Sequence, residues 1–90
     1  MYTVYVLYSP AFNKIYIGFT SNMEERFRAH NELRIKGWTV MYRPWTIFYI
    51  EITDTRANAM KREKELKSAQ GREFIWKMIR EKGVNRNNNS

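Results

Sequence analysis

The stretch that most constrains this chain is Lys14 to Asn31, KIYIGFTSNMEERFRAHN, in which a short strand turns into a helix. Ile15, Ile17 and Phe19 alternate with Tyr16 and Gly18, the period of a half-buried strand. Thr20, Ser21 and Asn22 are residues that cap helices, and Glu24 and Glu25 follow in the first turn, where negative charge suits the helix dipole. On a wheel of about 100° per residue, Met23, Phe27 and Leu33 share one side. Glu24, Glu25, Arg28, Asn31 and Glu32 take the other. Arg26 and His30 fall on the apolar side, one turn apart. A cation on a core-facing stripe is unfavourable unless it has a partner or faces a cleft.

The rest of the chain can be placed around this unit. Tyr2–Tyr8 reads as a strand, with Val4 and Val6 on one face and Thr3, Tyr5 and Leu7 on the other. Ser9 to Asn13 is turn chemistry, Pro10 presetting φ and Asn13 tolerating the left-handed region, so Lys14–Phe19 should fold back on the first strand. A first helix is expected over Asn22–Ile35, with Gly37 as its stop signal. A connector rich in aromatic and basic residues, 38–45, leads to a third strand over Thr46–Ile52. Thr53-Asp54-Thr55 caps a second helix over Arg56–Ala69, with Gly71 as its C-terminal glycine. A third helix is expected over Arg72–Lys82, ended by Gly83. The expected fold class is α+β, a three-stranded antiparallel sheet flanked by helices in the order β-β-α-β-α-α. At 90 residues this is a single domain, 1–83, followed by a polar tail, 84–90, expected to fray.

The second helix repeats the anomaly of the first. Glu63 lies among Ala59, Met60 and Leu66 on the apolar side of the wheel. An inward acid points to a pair, a metal or a catalytic role; an ion pair with Arg26 is the purely structural explanation. A formal net charge of +7 points to an anionic partner, nucleic acid before a membrane surface. The absence of cysteine excludes a disulfide framework and a thiolate zinc site, and a single histidine excludes a multi-histidine metal site. No run of about 18 apolar residues is available to span a membrane. The N-terminus lacks the pattern of a signal peptide, so the expected location is the cytoplasm.

With these residues in place, the chain resembles the GIY-YIG nuclease domain. Thr3-Val4-Tyr5 and Tyr16-Ile17-Gly18 match its two name-giving motifs. Thr20, Asn22, Met23 and Arg26 match a T-x-(D/N)-(L/M)-x-x-R run, with His30 and Asn31 a turn later. Ala59, Met60 and Glu63 match A-(L/M)-x-x-E, followed by Leu66-Lys67. The motifs come in the family's order over Tyr2–Ala69, as in its small stand-alone bacterial members. The resemblance implies that Tyr5 and Tyr16 lie in the cleft, one of them near the attacking water. It also implies that Arg26 holds the scissile phosphate, that Glu63 binds a single divalent ion, Mg²⁺ or Mn²⁺, and that His30 assists the base. The implied activity is metal-dependent endonucleolytic hydrolysis of DNA, in repair or on branched or single-stranded forms. The sequence departs from the family twice: the first motif begins with Thr3, and Ile75 stands where longer members carry an asparagine. The competing functional reading is a nucleic-acid-binding module with a vestigial or partner-dependent cleft.

The chemistry is consistent with the resemblance. An arginine fork donates twice to a phosphate, and one carboxylate suffices for Mg²⁺ that arrives with substrate. Tyr5 and Tyr16 lie opposite Val4, Val6, Ile15 and Ile17, so helices carrying Arg26 and Glu63 across the tyrosine side would bring all four together. Arg43, Trp38 and Trp45 are candidates to clamp nucleic acid, ordinary core and surface being the alternative. Lys61, Arg62, Lys64 and Lys67 form a solvated face that attracts phosphate without reading sequence.

Overall fold

Both faces of the first strand are apolar, and the fold follows from covering both. In the computed structural model, which describes residues 1–88 and the side chains of residues 1–82, β1 (Tyr2–Ser9) is the central strand of a sheet ordered β2-β1-β3. β2 is Lys14–Thr20 and β3 is Thr46–Thr53, and both run antiparallel to β1. The β1–β2 turn forms as its residues require. Asn13 adopts φ 54°, its N–H donates to the Ser9 carbonyl at 2.7 Å, and the Tyr8 hydroxyl donates to its side-chain oxygen at 2.9 Å.

α1 spans Met23–Arg28, α2 spans Arg56–Lys67 and α3 spans Ala69–Asn88, giving the expected α+β class and the expected element order. Asn22 caps α1 by accepting from the Glu25 N–H, and Thr55 caps α2 by accepting from the Asn58 N–H. Val4 and Val6 pack with Ile15, Ile17, Ala59, Leu66, Ile75 and Ile79 beneath α2 and α3. On the other face Tyr5, Leu7 and Trp45 pack with Tyr16, Met23, Phe27 and Tyr42. The helices are therefore split between the faces. α1 and the segment that follows it, through His30, Tyr42 and Trp45, cover the tyrosine side, and α2, which carries Glu63, lies across the valine side.

Three boundaries depart from expectation. The first helix does not continue to Ile35: α1 ends at Arg28 and a π-helical turn, Ala29–Leu33, takes over, closed by the Arg34 N–H on the Ala29 carbonyl at 3.0 Å. The wider turn breaks the wheel, leaving Leu33 exposed although it shares a side with Met23 and Phe27 at regular helical spacing. The connector is also more regular than expected, with a 3₁₀ helix over Trp38–Tyr42. Finally, α2 stops at Lys67 and α3 begins at Ala69, so Gly71 lies within α3 instead of ending α2, and Gly83 does not end α3. Ser68 forms the joint, its hydroxyl donating to the Glu65 carbonyl at 2.6 Å and accepting from the Gly71 N–H at 3.1 Å. The tail expected at 84–90 lies outside the residues whose side chains are described. Among the described residues no helix is long and apolar enough to cross a membrane.

Candidate active site

The register of β1 on β2 sets Tyr5 directly opposite Gly18, on the same face. The Tyr5 side chain lies over that glycine, so a Cβ there would stand 2.6 Å from the Tyr5 hydroxyl and 2.8 Å from Cζ. A glycine opposite the tyrosine is what lets the phenol lie flat and reach across the sheet. Its hydroxyl meets His30 Nε2 at 3.0 Å, and His30 Nδ1 meets Thr39 Oγ1 at 3.2 Å. Tyr16 flanks the pair, its ring 6.2 Å from that of Tyr5 and 4.6 Å from the His30 ring. His30 and Tyr5 are both fully buried, whereas Tyr16 is half-buried.

The two tyrosines differ in their surroundings. Burial and the nearby Tyr16 push the Tyr5 hydroxyl well above the ordinary range of a phenol, outweighing the pull of Arg26 and Arg34. Tyr5 is thus held as a neutral hydroxyl, hydrogen-bonded to His30. His30 is pushed from 6.5 down to about 4, first by burial and then by Arg34, Arg26 and Arg43. It is therefore neutral as well, free to accept the Tyr5 proton at Nε2 while Nδ1–H donates to Thr39.

A consequence for stability follows from His30. Its folded value lies below its unfolded value, so on acidification the unfolded chain takes up the proton first. His30 should therefore lower stability as pH falls from 6.5 to about 4 and contribute no slope above that window. The loss should total about 3 kcal/mol. Denaturant melts of wild type and His30→Gln across this range provide the check. The variant should lack that part of the slope; matching slopes would show that His30 is not the group responsible.

A cleft of about 550 Å³ opens at the β2 edge of the sheet, where residues of both faces meet. Tyr5, Tyr16 and Gly18 line it from the strands, Arg26 from α1, and Arg56 and Glu63 from α2, with Tyr2, Phe19, Thr20 and Ser21 at its end. The expected route of convergence is thus corrected. Glu63 does not arrive over the tyrosine face; it reaches the cleft from the helix on the opposite face, past the edge strand. The structural ion pair between Glu63 and Arg26 does not form. Glu63 instead faces Lys67 at 3.6 Å, one turn along, and Arg26 has no acidic partner among the described residues.

The remaining candidates lie elsewhere. His30 sits a layer behind the cleft wall, against Tyr5 and Tyr16. Arg43 is not placed to bind phosphate: its guanidinium donates to the carbonyls of Ala29, His30 and Arg34, where the π turn ends and carbonyls lack helical partners. Trp45 is core, with its indole N–H on the Thr39 carbonyl at 2.8 Å. Lys61, Lys64 and Lys67 are exposed on α2. Arg62 is not part of that solvated face, because it pairs with Glu51 at 2.9 Å. Ile75 is fully buried against the valine side, so no polar group stands there for a metal. Sequence reasoning missed Arg56 and Thr39. Arg56 precedes Glu63 by seven residues, two helical turns, so the shared face was available as a signal. Thr39 had none.

The family model described as the GIY-YIG catalytic domain matches residues 1–78. A UPF0213 protein of Staphylococcus haemolyticus is 34% identical over 70 residues, 78% of this chain and 84% of that one. One of Bacillus velezensis is 29% identical over 73 residues, covering 78% and 74%. One of Haloquadratum walsbyi is 37% identical over 54 residues, covering 60% and 61%. No solved structure matches.

Proposed function

The chain belongs to the GIY-YIG catalytic domain family, a family of nucleases, and from that premise we propose that it is a metal-dependent endonuclease hydrolysing DNA phosphodiester bonds. The observation that carries this reading is that Tyr16, Arg26 and Glu63, from three different elements, line one open cleft.

Each residue suits a part of the reaction. Arg26, with no acid to neutralise it among the described residues, is free to place its fork on the non-bridging oxygens of the scissile phosphate, where charge grows in the transition state. Both tyrosines line the cleft, and Tyr16, the less buried of the two, offers the hydroxyl that orients the attacking water. Tyr5 stays protonated and keeps its bond to His30, which fixes the cleft floor. Arg56, on the far wall from Arg26, is placed for a neighbouring phosphate.

Glu63 would hold a single Mg²⁺ or Mn²⁺. The donor set fits: Glu63 brings one carboxylate to the cleft, and a hard cation that keeps its waters and takes the substrate phosphate needs one or two. When bound, such an ion supplies an activated water and Lewis-acid stabilisation of the phosphoryl oxygens.

One observation favours a second reading, a binding module without cleavage: Ile75 leaves Glu63 without polar support from α3. Incubation with duplex, branched and single-stranded DNA separates the two. The nuclease reading expects cleavage of at least one form with Mg²⁺ or Mn²⁺ and none with chelator. Intact DNA throughout, with binding retained, would favour the module.

A further inference from the structure

A second surface lies beside the cleft and has no part in the roles above. Phe12, at the tip of the β1–β2 hairpin, packs edge-on against Tyr42 with ring centroids 5.5 Å apart. Trp38 meets Tyr42 from the other side at 4.8 Å and is backed by the buried Trp45 at 5.8 Å. Phe12 and Trp38 remain 49% and 46% exposed, and neighbouring Met41 is 65% exposed. Isolated exposed apolar residues need no explanation, but Phe12 and Trp38 joined through the Tyr42 ring form a patch.

The charge around the patch identifies what it suits. Residues 1–23 and 33–50 contain no Asp or Glu, although the chain has nine. The same segments contribute Lys14, Arg34 and Lys36, besides Arg43, whose guanidinium is held by backbone carbonyls. Lys14 Nζ lies 5.5 Å from the centre of the Tyr42 ring. A docking site for an ordinary protein would mix signs at its rim, whereas flat rings with a cation over one of them, carried on segments free of acids, match a polyanion that offers flat faces. Duplex DNA keeps its base faces stacked inside; an unpaired strand exposes them.

The patch is also continuous with the cleft. Ser9 pairs with Lys14, Leu7 with Tyr16 and Tyr5 with Gly18, so Lys14, Tyr16 and Gly18 point to one face of β2. They run from the rim of the aromatic cluster to the cleft floor, about 13 Å for four residues of strand. We propose that Phe12, Trp38 and Tyr42, with Lys14, bind the unpaired bases of a DNA strand whose backbone continues into the cleft. The proposal rests on the nuclease reading only for that continuation; the binding itself does not require cleavage.

The test is fluorescence anisotropy with a short labelled oligothymidylate, in chelator so that no strand is cut. Trp38→Ala should weaken single-strand binding about tenfold, with Phe12→Ala following it, while Trp38→Phe stays within about twofold and affinity for a blunt duplex of equal length is unchanged. Lys14→Gln, which removes the cation over Tyr42 and no ring, should weaken the single-strand complex and reduce its salt slope by about one. Thermal melts of the alanine variants identify any that fail to fold, and Lys14→Gln and Trp38→Phe then decide the matter alone. Undiminished binding by Trp38→Ala and Lys14→Gln, or equal losses on single strand and duplex, would overturn the proposal. Tighter binding of oligouridylate by the wild type would overturn the assignment to DNA. Absence of cleavage in the metal assay would leave this measurement untouched, so the two readings fail separately.

Discussion

Glu63→Gln should leave the protein folded and bound to DNA while lowering metal-dependent cleavage by more than about a hundredfold. The substitution keeps size and hydrogen bonding and removes the charge that would hold the ion. Binding should stay near wild type or tighten, since a negative charge beside the phosphate is gone. The effect on stability is predictable from the side chain's surroundings. Glu63 is 22% exposed and its partner Lys67 is 46% exposed at 3.6 Å, a pair of the kind worth less than about 1 kcal/mol. Had Glu63 been buried against Arg26, the same change would have cost about 3–5 kcal/mol. Arg26→Ala should behave differently and weaken both binding and cleavage, because a phosphate contact serves ground state and transition state alike. Cleavage should fall about a hundredfold or more, as when one donor to a developing oxyanion is removed. Melting, binding and cleavage measured on the same two variants form the check. Persistent cleavage by Glu63→Gln would remove the carboxylate from the metal site.

What the sequence made visible was what local periodicity controls. The three strands stand within a residue or so of their expected ends, because alternation along Val4–Tyr8 and Ile15–Phe19 is written in the residues themselves. The inward charges were visible too, since a helix wheel shows Arg26 and Glu63 out of place whatever lies opposite, and both line the cleft. The π turn after Arg28 was not visible, because its causes are distant. His30 is drawn in by Tyr5 and Thr39, and Asn31 by the backbone of Trp45, to whose carbonyl it donates at 3.0 Å. Arg43 misled for a similar reason: a basic residue among aromatics reads as a phosphate contact until the carbonyls it serves are seen. The motif tyrosine and glycine, Tyr5 and Gly18, were recognised as a pattern, but only the register shows that they are one device, a ring and the space for it.

Gly71 gives the sharpest contrast between local and tertiary reasons for one residue. At the end of an amphipathic run a glycine reads as a helix stop, a matter of backbone conformation. Here it lies in α3, where the helix turns back at Ser68 and passes the end of α2. A Cβ at this position would sit 2.5 Å from both the Cα and the carbonyl oxygen of Leu66, and nearer still to the carbonyl oxygen of Glu65. These are backbone atoms, so no rotamer change can relieve the clash; α3 would have to move away from α2. That motion opens the seam between Leu66 and Ile75, two fully buried residues of the valine-side core. Gly71→Ala should therefore destabilise the fold by at least about 3 kcal/mol, the upper range for overpacking, even though alanine is the better helix former by about 1 kcal/mol. The two readings of Gly71 thus predict opposite signs. A glycine that merely sat within α3 would tolerate alanine or gain from it, whereas a glycine pressed against the α2 backbone cannot. A denaturant midpoint for Gly71→Ala at or above wild type would show that the two helices do not approach as closely as the structure has them.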